Sequence, residues 1–203
     1  GLLMHNYSNM EFYPDLRQNG LLLGASPPLP LKPKLELFSS NLARNPVLAL
    51  SAHVSPLPDS TVKYIDRSRI GFSLIMDLNQ KANLPHQMED SPYEDWDLGK
   101  KDGLTALSFD LDVPLSRIDR AIVGTYVEAA HIFNNGTGFI LPGIYADFKV
   151  VKVNLEYRMH NKGFVPAYFD QHYEEERAVL EFDEYGNPAS ILTGEEVLHE
   201  HPA

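Results

Sequence analysis

The most regular pattern in the chain is a strict alternation of apolar and polar side chains over residues 151–158. Its apolar positions are Val151, Val153, Leu155 and Tyr157, and its polar positions are Lys152, Asn154, Glu156 and Arg158. Because successive side chains of a β-strand point to opposite faces, this pattern predicts a strand with one apolar and one charged face. Upstream, Ala146, Phe148 and Val150 keep the apolar phase on even positions, and the change of phase after Val150 predicts a tight turn or a bulge.

Two-faced segments also occur earlier in the chain. Arg69–Asn79 alternates with only Ile75 out of phase. Gly103–Val113 is predicted as a further strand, in which Leu107, Phe109, Leu111 and Val113 oppose Ser108, Asp110 and Asp112. Further strands are predicted at 1–13, Leu21–Ser26, Lys34–Ser39, Val47–Val54, Ala121–Phe133 and Ala178–Phe182. Proline, glycine and asparagine between the strands predict turns, one of them at Pro114–Arg120. Consecutive hairpins form a meander, so the predicted fold is all-β, an antiparallel up-and-down meander of long hairpins.

The organisation expected along the chain is simple. A chain of 203 residues is long enough for one domain with a sizeable core, so 1–203 is predicted as a single β-barrel domain or a fragment of one. Residues 80–102 form a predicted long acidic loop, of a length that is usually functional or disordered. Residues 184–203 are predicted as an acidic polar tail or loop, in which Thr193 and Glu196 have the spacing of a helix start.

Composition narrows the function classes. The net charge of -11 argues against nucleic-acid binding, which needs a basic surface. The absence of cysteine excludes disulfides and cysteine metal sites, and fits either a bacterial envelope protein or a cytosolic one. No apolar run is long enough for a transmembrane helix, which takes about 18 residues or more. A membrane β-barrel has low average hydropathy as well, so it stays open as a class.

Strand length then favours a membrane β-barrel or part of one. Arg69–Asn79 and Gly103–Val113 each cover 11 residues. A membrane-spanning β-strand needs about 9–11 residues, whereas strands of soluble proteins average about 5–6. Short Pro-Leu turns beside one long acidic loop are also typical of outer-membrane barrels. In such a barrel the polar strand faces line the lumen, and the predicted lumen-facing residues are Lys152, Asn154, Glu156, Arg158, Asp110 and Asp112.

A resemblance points the same way. The segments NGTGF at 135–139, LEYR at 155–158 and GFVPAYF at 163–169, followed by Tyr173–Arg177, resemble poorly characterised bacterial outer-membrane β-barrel proteins. The resemblance covers residues 20–182. It implies a location in the bacterial outer membrane with the lipid bilayer as partner, and it implies no catalytic residues. Because such proteins are usually longer, it also implies that this chain is a fragment.

Candidate chemistry is weighed against this interpretation. The carboxylates of the acidic loop, among them Glu89, Asp90 and Asp95, are ligand types that Ca²⁺ prefers, but they lack the EF-hand spacing, so a solvated loop is expected. His199 and His201 have the wrong spacing for a metal site on one helical face. No nucleophile elbow, P-loop or dinucleotide motif occurs. We therefore expect no enzymatic activity, metal or cofactor.

The expected function is a passive, porin-like channel for small solutes or a structural role in the cell envelope. The alternative is a soluble all-β module, a sandwich or lipocalin-like barrel, that binds a small ligand or a glycan. That alternative places Val151, Val153, Leu155 and Tyr157 inside the protein. The direction in which this one strand faces therefore separates the two hypotheses.

Overall fold

The computed structural model describes residues 20–42, 47–57, 64–84, 103–118, 121–148, 150–169, 173, 177–185, 188–193 and 196. Its strands are β1 (Leu21–Ala25), β2 (Lys34–Ser39), β3 (Val47–Val54), β4 (Arg69–Asp77), β5 (Leu104–Ile118), β6 (Ala121–Ile132), β7 (Gly136–Asp147), β8 (Lys152–His160), β9 (Ala178–Phe182) and β10 (Pro188–Thr193). Two short 3-10 helices, Ile65–Arg67 and Gln80–Asn83, lie before and after β4.

The first eight strands form one antiparallel sheet in the order β1-β2-β3-β4-β5-β6-β7-β8, so that every strand pairs with its neighbours in the sequence. β9 and β10 form a separate two-stranded hairpin. The predicted all-β antiparallel meander is confirmed. Among the described strands, β1 and β8 are the two edges of the large sheet. No helix in the described part of the chain is long and apolar enough to cross a membrane.

One predicted turn is wrong. Pro114–Arg120 was expected to end a strand, but β5 continues through Pro114 to Ile118. The ladder between β5 and β6 shifts register between Pro114 and Ser116, and a second shift between Ile140 and Gly143 lets β7 pass Pro142. Proline has no N–H to give to a ladder, and a bulge is one of the places in a sheet that tolerates it. These prolines therefore bend long strands where the sequence pattern predicts breaks.

The C-terminal prediction needs a second correction. The segment 184–203 was expected to be an acidic tail or loop, but β10 lies inside it and pairs with β9. The capping pair predicted at Thr193 and Glu196 has its hydrogen bonds: the Glu196 carboxylate accepts from the Thr193 backbone N–H at 2.7 Å, and the Glu196 N–H donates to Thr193 Oγ1 at 3.4 Å. Residues 1–13, residues 85–102 of the acidic loop and His199–His201 lie outside the described residues.

The register gives the large sheet two different faces. We call the face that carries Ile75, Ser108 and Glu156 the inner face, and the opposite face the outer face. On the outer face, one row of neighbours crosses seven strands without a polar residue: Leu35, Ala52, Phe72, Phe109, Ala129, Phe139 and Met159. A parallel row runs through Leu23, Leu37, Leu50, Leu74 and Leu107. Most of these large side chains are exposed.

The hydrophobic core lies on one half of the inner face. Its strand residues are Val47, Ile75, Leu104, Ala106, Ala130, Ile132 and Ile140, and they pack against Phe164, Phe169 and Tyr173 from the chain that follows β8. These core residues lie at the end of the sheet where β3 begins and β8 ends. The other half of the inner face carries polar and charged side chains, so the core and the polar surface share one face of the sheet.

Candidate functional site

The polar half of the inner face forms the wall of a cavity of about 810 Å³. Every strand from β2 to β8 contributes at least one side chain to this wall, from Glu36 on β2 to Arg158 on β8. The sheet therefore curves around the cavity strongly enough for strands near both of its edges to reach it. Pro166 and Ala167, which follow β8, also line the cavity.

All six of the predicted lumen-facing residues lie on this cavity wall. Asp110 and Asp112 come from β5, and the remaining four come from β8: Lys152, Asn154, Glu156 and Arg158. The strands bring them together because alternate residues of each strand share a face, and because β5 and β8 border the same curved surface. The position of these residues on the inner face is thus clear, and their role as a lumen lining stays a prediction.

The first interaction network on the wall joins β6 to β8 across β7. The Tyr126 hydroxyl donates a hydrogen bond to Glu156, and Arg158 Nε donates to the same carboxylate at 2.6 Å. Between the two strands lies Gly143, which pairs with both Tyr126 and Glu156. A Cβ atom at Gly143 would lie 2.5 Å from the Tyr126 ring. The glycine therefore makes the room in which the tyrosine reaches over β7.

A second network on the cavity wall is built in the same way, from a tyrosine that lies over a glycine of the neighbouring strand. The Tyr145 ring of β7 covers Gly124 of β6, where a Cβ atom would lie 2.4 Å from the ring. The Tyr145 hydroxyl donates to Asp112 Oδ1 at 3.0 Å, and Arg69 lies 3.4 Å from the other oxygen of that carboxylate. Lys152 Nζ lies 5.1 Å from the Tyr145 ring centroid, within cation–π range. Aromatic rings thus carry hydrogen bonds across glycines at two places.

A third contact joins β3 to β5 across Gly71. His53 Nε2 lies 4.0 Å from Asp110 Oδ1, and Gly71 is the register partner of both residues. A Cβ atom at Gly71 would lie 2.1 Å from the Asp110 carboxylate, so the missing side chain lets His53 and Asp110 approach each other over β4. Ser51 Oγ lies 3.4 Å from His53 Nδ1.

Sequence reasoning missed His53, Tyr126 and Tyr145, and with them the hydrogen bonds that organise the wall. One available signal was the glycine inside each long strand, since glycine in a strand interior often marks a close approach of another group. Gly71 and Gly124 are such positions. The sequence does not say which side chain fills the space, because that depends on the register of the neighbouring strand.

The arrangement suits polar contacts with water or a small solute. Carboxylates, hydroxyls, an amide and two basic groups share the wall, and the closest charges pair with one another, as Arg158 does with Glu156. In the part of the chain that the structure describes, no group of three or more His, Cys, Asp or Glu side chains is placed to hold a metal ion. The wall thus presents many hydrogen-bonding groups and an excess of acidic over cationic side chains: Glu36, Asp110, Asp112, Glu128 and Glu156 against Lys152 and Arg158.

Comparison with known protein families, with curated proteins and with solved structures found no match for this chain. A functional assignment therefore has to be argued from the two faces of the sheet and from the cavity.

Proposed function

We propose that this chain is a bacterial outer-membrane β-barrel protein, or part of one, that serves as a passive channel or as a structural protein of the cell envelope. The observation that carries the proposal is the contrast between the faces of the large sheet. The outer face presents one uninterrupted row of apolar side chains over seven strands and a second over five, and the inner face presents the charged cavity wall.

The apolar rows are exposed on the strands that define them. Leu23 is 52% exposed, Phe109 is 45% exposed and Phe72 is 42% exposed. A soluble monomer rarely shows a contiguous apolar patch larger than a few hundred Å², so apolar rows that cross five and seven strands call for an apolar environment. The hydrocarbon core of a bilayer is such an environment. A sheet can lie there only when it closes into a barrel without an unpaired strand edge, so the proposal requires the edge strands β1 and β8 to be paired in the membrane.

The dimensions of the strands and connections support the same proposal. β5, β6 and β7 are 15, 12 and 12 residues long, enough for tilted strands to cross a bilayer, which takes about 9–11 residues. The connection between β5 and β6 spans only residues 119–120, whereas that between β4 and β5 runs from 78 to 103. Connections of such unequal length are typical of outer-membrane barrels.

The soluble alternative needs the opposite orientation of β8. A lipocalin-like barrel would enclose Val153, Leu155 and Tyr157, but these side chains are 54%, 71% and 62% exposed. The charged residues of the same strand line the cavity instead. The alternative then needs a second protein surface to cover the outer face, and the described residues include none that does so.

Extraction and gel migration test the proposal. The chain is produced behind a signal peptide in a Gram-negative bacterium, and the membrane fractions are separated. We expect the protein in the outer-membrane fraction, extractable only with detergent, and an unheated sample that migrates differently from a boiled one in an SDS gel. A chain that is monodisperse without detergent and absent from the outer membrane would overturn the proposal.

A further inference from the structure

We infer that Asn161–Phe169 is an internal plug that closes one end of the cavity, so that the barrel does not conduct solutes until this segment is displaced. The inference rests on the proposed function and concerns its channel alternative. It begins from the position of the hydrophobic core, which lies inside the curve of the sheet. A conducting lumen needs a continuous polar path, and this core interrupts it.

The two phenylalanine side chains of the plug are as fully buried as those in the core of a soluble domain. Phe164 is 1% exposed and Phe169 is 0% exposed, and both belong to the buried cluster on the inner face. The strand residues below them include Ile75 and Ile132, which are also buried. Large side chains buried to this degree resist displacement because their removal from contact exposes apolar surface.

Two glycines of β7 shape the seat of the plug. A Cβ atom at Gly138 would lie 2.2 Å from the Phe164 ring, and one at Gly136 would lie 2.6 Å from the Asn161 side chain. Both glycines lie on the inner face of β7. Without side chains at these positions, Phe164 lies directly against the backbone of β7, which is the close approach that glycine in a strand permits.

Polar contacts hold the segment at its start and beyond its end. Asn161 Oδ1 accepts a hydrogen bond from the Thr137 N–H at 2.7 Å. Farther along the chain, the Tyr173 hydroxyl donates to Asp77 Oδ2 at 2.8 Å, and Arg177 lies 3.4 Å from Asp77 Oδ1. The side chains of Asp77 and Arg177 are 0% and 5% exposed, so this contact is inside the protein. β4 therefore anchors the chain that leaves the plug.

The plug also forms part of the cavity wall. Pro166 and Ala167 line the cavity next to Ile75 and Ile140, at the boundary between its polar wall and the apolar core. The cavity is thus a pocket with a floor at this end. In a membrane barrel built in this way, permeability depends on whether Asn161–Phe169 remains packed against the inner face of the sheet.

An engineered disulfide allows the plug to be fixed by oxidation and released by reduction in the same variant. The chain has no cysteine, so the double variant Gly138→Cys/Phe164→Cys carries a single pair of thiols. The ring atoms that a Cβ at Gly138 would meet all belong to Phe164, and that ring is absent from the variant. A Cβ at Gly138 would lie 2.6 Å from Phe164 Cδ1, so the two positions are neighbours, and the variant forms the disulfide if the backbone adjusts to bring the two Cβ atoms to about 3.8 Å.

The measurement is the swelling rate of liposomes that contain the folded protein in an arabinose gradient. We expect no swelling above that of empty liposomes for the wild type and the oxidised variant. We expect swelling several times faster for the reduced variant, whose segment is held by neither the Phe164 ring nor the disulfide. Gly24→Cys serves as the thiol control, because a Cβ there meets nothing within 4 Å. Gly138→Ala, whose Cβ displaces the ring, provides a second open variant without a thiol.

Two different failures can be told apart. The first failure concerns the plug alone and requires that the folded protein inserts and shows heat-modifiable migration. In that case the plug is overturned, and the proposed barrel is not, if the wild type conducts as fast as the reduced variant. The same holds if both the reduced variant and Gly138→Ala fail to conduct. If the protein never enters a membrane, both the proposed function and the plug are overturned. Heat-modifiable migration of every variant shows that it is folded before its swelling rate is compared.

Discussion

At the scale of single residues, three glycines decide how the cavity wall is built. Gly71, Gly124 and Gly143 each lie under a side chain from a neighbouring strand, and each would place a Cβ atom less than 3.0 Å from it. Alternation alone predicts which residues face inward. It does not predict that Tyr126 and Tyr145 lie across these glycines, since a cross-strand contact depends on register, which no single strand encodes.

A first prediction concerns Gly143→Ala. The new methyl group collides with the Tyr126 ring and displaces the hydroxyl from Glu156, so we expect the variant to lose about 1–3 kcal/mol of unfolding free energy, the usual cost of overpacking. Gly24→Ala is the matched control, since its Cβ meets nothing within 4 Å. Urea unfolding in detergent micelles measures both. Equal stabilities of the two variants would contradict the assigned contact.

A second prediction concerns Tyr173→Phe. Without the hydroxyl, the buried Asp77 carboxylate loses a hydrogen-bond donor, and we expect a loss of about 1–3 kcal/mol at neutral pH. Burial, together with the Asp77 charge, raises the pKa of Tyr173 well above its ordinary value of 10.0. The folded protein therefore holds this proton more tightly than the unfolded chain does.

The raised pKa of Tyr173 determines how the stability of the folded protein depends on pH. The stabilisation by Tyr173 is complete below about pH 10, the ordinary pKa of tyrosine, and is lost as the pH rises towards the higher pKa of the folded state. The difference in unfolding free energy between the wild type and Tyr173→Phe should thus shrink above about pH 10. A difference that stays constant between neutral and strongly alkaline pH would show that the phenol is not held by Asp77 as described.

At the scale of elements, alternation predicted most of the strands, and the bounds of β2, β3 and β9 agree with it. It failed where a long strand passes a proline, as β5 does at Pro114. A bulge restores pairing after one unpaired residue, and the neighbouring strand, not the local sequence, decides whether pairing resumes. The same limit applies to β10, which lies in the segment predicted as an acidic tail or loop and contains only two large apolar residues, Ile191 and Leu192.

A third prediction uses neighbouring residues on the two faces of β8. Leu155→Lys places a charge on the outer face, and for a bilayer we expect a loss of about 2–4 kcal/mol, the range measured for a basic residue at the midplane of a barrel. Asn154→Lys places the same side chain on the cavity wall and should change stability little. Refolding into lipid vesicles compares them. Equal effects of the two substitutions would contradict the assignment of the faces.

At the scale of the whole molecule, the sheet is polar inside and apolar outside, except where the plug fills one end. The two-faced pattern of the strands was enough to predict the meander and the inner position of Asp110 and Glu156. The plug was not predictable in the same way. GFVPAYF has no strand or helix period, and its aromatic residues acquire a role only when the glycines of β7 lie beneath them.

A cysteine scan with nitroxide labels measures whether the outer face contacts lipid. Because the chain has no cysteine, each variant carries one label. The scan covers Phe72, Ser73, Leu74, Asn154 and Leu155 in protein reconstituted into vesicles. We predict that labels at the apolar positions collide mainly with lipid-soluble oxygen and that labels at Ser73 and Asn154 do so least. Collision mainly with a water-soluble nickel complex at Phe72, Leu74 and Leu155 would contradict this contact with lipid.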